Sequence, residues 1–188
     1  GQRTAGEIVA IVGVAGNGQQ ELAAQLRKQP GAHIPEDRTR NGIVAEMTIA
    51  ENIALGALHW NRRDATRNAE RLIAAYGIRA EGPHQRVGDL SGGNQQKVIL
   101  ARELDRKPEL IVAAEPTRGL DIEATRYVHE RLLEAAMHGA KIVLITSDLD
   151  EAFALADVIQ VIYRGQLSER MAPDDARTRV ASLMAGVA

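Results

Sequence analysis

Apolar positions along this chain follow two alternating rhythms. Four short, largely apolar runs have strand length: Glu7 to Val12, Leu110 to Ala114, Lys141 to Thr146 and Val158 to Tyr163. The first, rich in β-branched residues and stopping at Gly13, reads as a buried strand. Between them the apolar residues fall at helical spacing. Leu22, Ala23 and Leu26 share a face of Gln19–Lys28; Ala69, Leu72, Ile73 and Tyr76 share one of Asp64–Tyr76; Val98, Ile99, Ala101 and Leu104 share one of Gln95–Asp105. Glu123–His138, Asp150–Ala156 and the tail Asp174–Met184 are also predicted helical. Thr48-Ile49-Ala50-Glu51 has the form of a capping box and predicts a helix from Ile49 to about Leu58. Gly77, Gly82 and Pro83 stop the helix before them, Gln29 to Arg40 is turn-rich and charged, and Arg164-Gly165-Gln166 is a tight turn. Strands alternating with helices imply βαβ crossovers, hence an α/β fold with a mainly parallel sheet covered by helices on both faces. The helices from about residue 48 to 90 form an insert on that core, so residues 1–188 are expected to be a single domain with a helical subdomain.

Composition narrows the classes without choosing among them. The 188 residues suffice for one sizeable core. A formal net charge of −2 and 3% aromatics give no footprint for nucleic acid, so no nucleic-acid partner is expected. The chain lacks cysteine, which excludes disulfides, thiolate metal sites and thiol catalysis. Its start has no signal-peptide pattern and no apolar run is long enough to span a bilayer, and the lack of cysteine is compatible with a reducing cytoplasm. His33, His59, His84, His129 and His138 show no metal-ligand spacing and are read as structural or surface residues.

Two glycine-rich stretches carry the candidate chemistry. Gly13-Val14-Ala15-Gly16-Asn17-Gly18 follows a strand and precedes a helix, the layout of a phosphate-binding loop. The spacing G-x-x-x-x-G fits, and the dinucleotide pattern G-x-G-x-x-G is absent. The next two positions, Lys and Ser/Thr in a complete P-loop, are Gln19 and Gln20. The cation for the terminal phosphates is missing, as is the hydroxyl that would ligate Mg²⁺. Phosphate binding and a plain glycine turn both remain open for this loop. In Leu90-Ser91-Gly92-Gly93-Asn94-Gln95-Gln96-Lys97, Ser91 can cap a helix whose first-turn N–H groups suit an anion. An ordinary capped helix remains the alternative. Gly13, Glu115 and Ser147 all fall at carboxyl ends of predicted strands, where ligands of such sheets collect, which supports one nucleotide site.

The stretch Leu90–Lys97 closely resembles the signature sequence of ABC-type ATPases. With Glu115-Pro116-Thr117-Arg118-Gly119-Leu120-Asp121 and Ile145–Asp150 following in family order, nearly the whole chain resembles the nucleotide-binding domain of ABC transporters. More narrowly it resembles the second, C-terminal ATPase domain of fused proteins that drive bacterial sugar and nucleoside importers. The supporting residues are Gly16-Asn17-Gly18-Gln19, Pro35-Glu36-Asp37-Arg38, Ala50-Glu51-Asn52 and Ala113-Ala114-Glu115. The pair Ala113-Ala114 favours the nucleoside branch over the ribose branch.

The resemblance implies ATP and Mg²⁺ as cofactors, with Gly13, Gly16, Asn17, Gly18, Gln19 and Gln20 at the domain's own nucleotide. Glu115 stands where the family keeps its water-activating base, and Ser147 where it keeps a switch histidine. Ala114 replaces the metal-binding Asp, so nothing obvious holds Mg²⁺ and this site is expected to be degenerate. Ser91, Gly92, Gly93 and Gln95 are intact and are implied to close over ATP on a second domain, with Asp121 in the loop that crosses the dimer interface. Implied partners are that second ABC ATPase domain (fused in the same full-length protein), transmembrane permease subunits and, indirectly, a solute-binding protein. The implied location is the cytoplasmic face of the membrane. A nucleotide-binding or dimerisation module without catalysis, and a non-transport ABC ATPase, are the alternatives. Arg27–Ala32 bridges a span where the family carries a few tens of residues of a β subdomain, and the strands expected before Glu7 are missing. A trimmed domain and a gap closed over by the numbering both fit that shortness.

Overall fold

The continuous apolar run after Glu7 becomes the middle of a sheet. In the computed structural model, which describes residues 6–187, β1 (Ile8–Val12) is buried at all five positions. Only a strand covered on both faces has that pattern. It lies between β4 (Lys141–Thr146) and β5 (Val158–Tyr163), parallel to both, and β3 (Leu110–Ala114) runs parallel to β4 on its far side. The full order is β2-β3-β4-β1-β5-β6, with β2 spanning Ala32–Ile34. The short β6 (Gln166–Leu167) returns antiparallel to β5 through Arg164-Gly165, both at positive φ. A right-twisted hairpin requires that backbone, and glycine adopts it at least cost.

Two compact units divide the chain. The first comprises residues 1–33, 108–116 and 129–188; the second comprises 34–107 and 117–128. In the first, α1 (Gln19–Leu26) lays Leu22, Ala23 and Leu26 on an apolar cluster of Ile11, Val112, Ala114, Ile145 and Ile162. Burying one such side chain stabilises by about 1.5–3 kcal/mol. Helices α6 (Leu149–Leu155) and α7 (Pro173–Met184) pack on the strands as well, α6 against β1 and β4 and α7 against β5. In the second unit α2 (Ile49–Ala54) packs on α3 (Arg62–Ala75) and on α4 (Gly92–Leu104). The remaining helix, α5, runs over Ile122–Met137.

The structure departs from the sequence reading in three places. The helix opening at Ile49 ends at Ala54 rather than near Leu58, because Leu55 is extended and Gly56 takes φ +79°. The capping box that starts it is formed on both sides: Thr48 accepts from the Glu51 N–H, and Glu51 accepts from the Thr48 N–H. The segment Gln29–Arg40, expected to be turn-rich, also contains β2 and the start of a wide helical turn closed by an Ile43 N–H to Arg38 carbonyl bond of 2.9 Å. Three residues of strand are too few for an alternation to register in sequence. The signature helix begins at Gly92 rather than Gln95, its two glycines forming the first turn behind the Ser91 cap.

Asn52 ties α2 to the loop before it. Its side chain is fully buried; Oδ1 accepts from Val44 N–H at 2.8 Å, and Nδ2 donates to the carbonyls of Val44 and Thr48, each at 3.0 Å. Asn52→Leu is expected to lower unfolding free energy by about 2–3 kcal/mol, because buried backbone groups lose their partners. Urea denaturation of the two proteins measures it.

Candidate functional site

The parallel register brings three strand ends side by side in the first unit. Val12 pairs with Thr146 and Ala114 with Ile145, so Gly13 leaves its strand beside Ser147 and Glu115 leaves its strand beside Thr146, with the end of β4 in the middle. Gly13 is buried, and a Cβ there would stand 2.7 Å from the Ile162 carbonyl oxygen, so only glycine fits. The loop then turns through Gly16 at φ +87° and Gly18 at φ +105°, which side chains rarely adopt.

The loop is held from within by the side chains of Asn17 and Gln19. Gln19 Oε1 accepts from the Asn17 N–H at 2.9 Å, while its Nε2 donates to the Val14 carbonyl at 2.9 Å. Asn17 Nδ2 donates to the same carbonyl at 2.7 Å. Lysine at position 19 offers donors only; glutamine also brings an acceptor, which occupies an N–H of the anion cradle. Outside the loop, the β5–β6 turn clamps Asn17: the Arg164 N–H donates to Oδ1 at 3.0 Å and the Gly165 N–H to its carbonyl at 2.8 Å. These turn contacts join residues almost 150 positions apart, and no local signal in the sequence marks them. Gln20 is exposed at the start of α1.

Glu115 takes φ +43°, a backbone cost of about 1–3 kcal/mol for a residue with a Cβ. Its N–H donates to the Ile145 carbonyl at 2.8 Å, and its Oε1 accepts from the Ser147 N–H at 2.7 Å. The strain therefore aims the carboxylate across the end of β4. Ala114 lies inside the apolar cluster beneath the loop. Where a complete P-loop has Lys and Ser/Thr this loop has Gln19 and Gln20, and Ala114 sets a buried methyl beneath it.

Ser91, Gly92, Gly93, Gln95 and Asp121 belong to the second unit. Ser91 caps α4, its Oγ accepting from the Asn94 N–H at 3.3 Å and from Asn94 Nδ2 at 2.9 Å. Asn94 is itself fixed by accepting the Arg79 N–H at 2.8 Å. Gln95 Nε2 reaches the Val87 carbonyl at 3.3 Å. A Cβ at Gly93 would lie 3.0 Å from Ala124 Cβ, and Asp121 caps that same turn of α5 by accepting the Ala124 N–H at 2.7 Å. Glycine at 93 thus lets α4 approach the start of α5.

Charged residues of Glu36–Arg38 and Arg118 complete this region. Glu36 pairs with Arg118, and Arg38 Nη1 donates to the Arg118 carbonyl at 3.2 Å. The Asp37 carboxyl is held below its ordinary value, first by the Thr39 hydroxyl and then by the Arg40 N–H.

Three comparisons place the chain among known proteins. A family model described as ABC transporter matches residues 2–118. The nucleoside import ATP-binding protein NupA of Lactococcus lactis subsp. cremoris is 37% identical, over 90% of this chain and 40% of that protein. The guanosine import ATP-binding protein NupO of Bacillus subtilis is 37% identical over 97% of this chain and 43% of its own length. The ribose import ATP-binding protein RbsA 1 of Burkholderia cenocepacia is 34% identical over 87% of this chain and 38% of its own. The chain therefore spans less than half of the curated relatives it matches. The NupO alignment runs over 220 positions against the 188 residues here, so the relative carries internal residues this chain lacks. Among solved structures, one described as the ATP binding subunit of an ABC transporter superposes with TM-score 0.75 at 24% identity, covering 94% of this chain and 83% of that one. A dimeric ATP-binding cassette bound to ADP and Pi gives 0.73 at 18% identity, covering 92% of this chain and 88% of that one. At those identities the likeness is one of fold.

Gly18→Ala is expected to cost about 1–3 kcal/mol, since the new methyl needs φ +105° and would meet Gly165 Cα at 3.0 Å. Faster hydrogen exchange at Arg164 and Gly165 would report the loosened clamp. The Asp37 turn gives a pH test. A carboxyl depressed in the folded state contributes stability that is fully present above its unfolded pKa and lost as pH falls through the folded value. Asp37→Asn should flatten that acid limb when unfolding free energy is followed from about pH 5 to about pH 2.

Proposed function

The chain belongs to the ABC transporter family, and from that premise we propose that it is an ATP-binding domain of an importer for sugars or nucleosides. Its work is to couple ATP binding and hydrolysis on an assembled dimer to solute uptake. The names of the relatives, which specify import of nucleosides, guanosine and ribose, support the solute class. Its partners in this reading are a second ABC ATPase domain in the same full-length protein, transmembrane permease subunits and, through them, a solute-binding protein. It works at the cytoplasmic face of the membrane; among the described residues no helix is long and apolar enough to cross one.

One contrast carries the reading: the signature is fully built while the P-loop is closed on itself. Ser91 Oγ spends its lone pairs on Asn94, which leaves the hydroxyl proton to donate outward. With the first-turn N–H groups of Gly92 and Gly93 it makes a donor set for the terminal phosphate of ATP held by the second domain. Gln95 braces the turn against the Val87 carbonyl, and Asp121 fixes the neighbouring loop at the dimer interface. At the domain's own loop, Gly13, Gly16, Asn17, Gly18, Gln19 and Gln20 bind nucleotide weakly. A charge-assisted hydrogen bond is worth about 1.5–3 kcal/mol, so losing the lysine weakens ATP about tenfold or more. Glu115 occupies the position of a general base, and its Oε1 accepts from the Ser147 N–H.

A purely binding module is the second reading, favoured by the internal satisfaction of the loop through Gln19. Gly92→Asp separates the two. It places a negative charge at the signature, and the assembled ATPase is expected to lose its turnover; near-normal hydrolysis would favour the binding module. For the loop, titration calorimetry with Mg-ATP, and with ATP plus EDTA, should show weak binding indifferent to the metal. Gln19→Lys should tighten it about tenfold. Unchanged affinity in that variant would remove Gln19 as the cause.

A further inference from the structure

Charge balance around the signature leaves one cation over. Glu36 and Arg118 neutralise each other as an ion pair. Asp37 turns into its own loop, accepting from Thr39 Oγ1 at 2.8 Å and from the Arg40 N–H at 3.0 Å. Arg38 has no such partner: its Nη1 donates to a neutral carbonyl, that of Arg118, and it forms no ion pair among the described residues. Its Nε is shielded from solvent without an acceptor. Shielding a guanidinium N–H in that way is unfavourable and gains nothing for the fold.

The position of Arg38 says where its charge is used. A Cβ at Gly92 would stand 2.7 Å from Arg38 Nη2, so the guanidinium fills the space a side chain would take beside the first turn of α4. Guanidinium binds phosphate through parallel N–H bonds, and it does so most strongly where water is partly excluded. We propose that Arg38 is a further phosphate-binding residue of the signature, adding a full positive charge to Ser91 and the α4 amides when they meet the terminal phosphate of a nucleoside triphosphate held by a second ATPase domain. The inference rests on the reading that the signature acts across a dimer. It also gives Gly92 a second reason to be glycine: any larger residue displaces the guanidinium.

Steady-state ATP hydrolysis by the assembled ATPase carrying this chain tests it, with Arg38→Gln, Arg38→Lys and Gly92→Asp compared alongside thermal unfolding. Glutamine removes the charge and keeps a neutral N–H donor on a shorter side chain, and the lysine variant controls for the lost contact. Arg38→Gln is expected to raise KM for ATP about tenfold or more with little change in Tm, and to weaken its dependence on salt. Arg38→Lys, which keeps the charge, should recover most of that loss. A wild-type KM in Arg38→Gln, with Gly92→Asp inactive, would overturn the role of Arg38 and leave the signature reading standing. Equal losses in the glutamine and lysine variants would also overturn it, because they would mark a structural contact rather than a charge. Normal turnover in Gly92→Asp would instead remove the signature reading, and this inference with it.

Discussion

The parallel register of β3, β4 and β1 is the constraint on which the candidate chemistry of the first unit depends. Because Val12 faces Thr146 and Ala114 faces Ile145, the chain leaves three adjacent strands within one residue of the same level. A slip of one residue would turn every side chain of a strand to the opposite face and break the packing of the apolar cluster under α1. The hydrophobic pattern therefore fixes the alignment of Gly13, Glu115 and Ser147 before any ligand is considered. Energy spent on burial is what sustains the local strain at Glu115, whose φ of +43° would not persist in an isolated turn.

Much of this was legible in the sequence, for a physical reason in each case. Leu110–Ala114, Lys141–Thr146 and Val158–Tyr163 were bounded to the residue because continuous apolar runs have sharp edges where polarity begins. The Thr48–Glu51 box formed because both of its hydrogen bonds are local. The length of the helix it starts was not legible, since Leu55 and Gly56 stop it through backbone conformation rather than polarity. Non-local contacts were hidden altogether. The turn at Arg164-Gly165 was expected, yet nothing in it announces that its two N–H groups close on Asn17.

The same limit applies to chemistry. Absences at positions 19, 20 and 114 could be read by comparing residue types, and they suggested a loop short of charge. What glutamine does in place of lysine could not be read, because it depends on the carboxamide folding back to reach both an N–H and a carbonyl of its own loop. Likewise Glu36, Arg38 and Arg118 are three charges in sequence, and only geometry shows that two of them cancel and one does not.

The glycine loop that opens α1 is tied into the fold whether or not it binds phosphate. A P-loop without lysine still needs its glycines, because the fold has built the β5–β6 turn against Asn17 and the Ile162 strand against Gly13. Replacing either glycine would disturb packing that holds the sheet, whether or not phosphate ever binds. Gln19 fits that logic, since its two hydrogen bonds satisfy groups that phosphate or lysine would otherwise have to satisfy. The signature is under the opposite constraint. Ser91 retains an uncommitted hydroxyl proton and Arg38 an uncompensated charge, neither of which packing requires. Groups that the fold satisfies internally can outlive their chemistry, whereas groups it leaves unsatisfied are costly unless a ligand completes them.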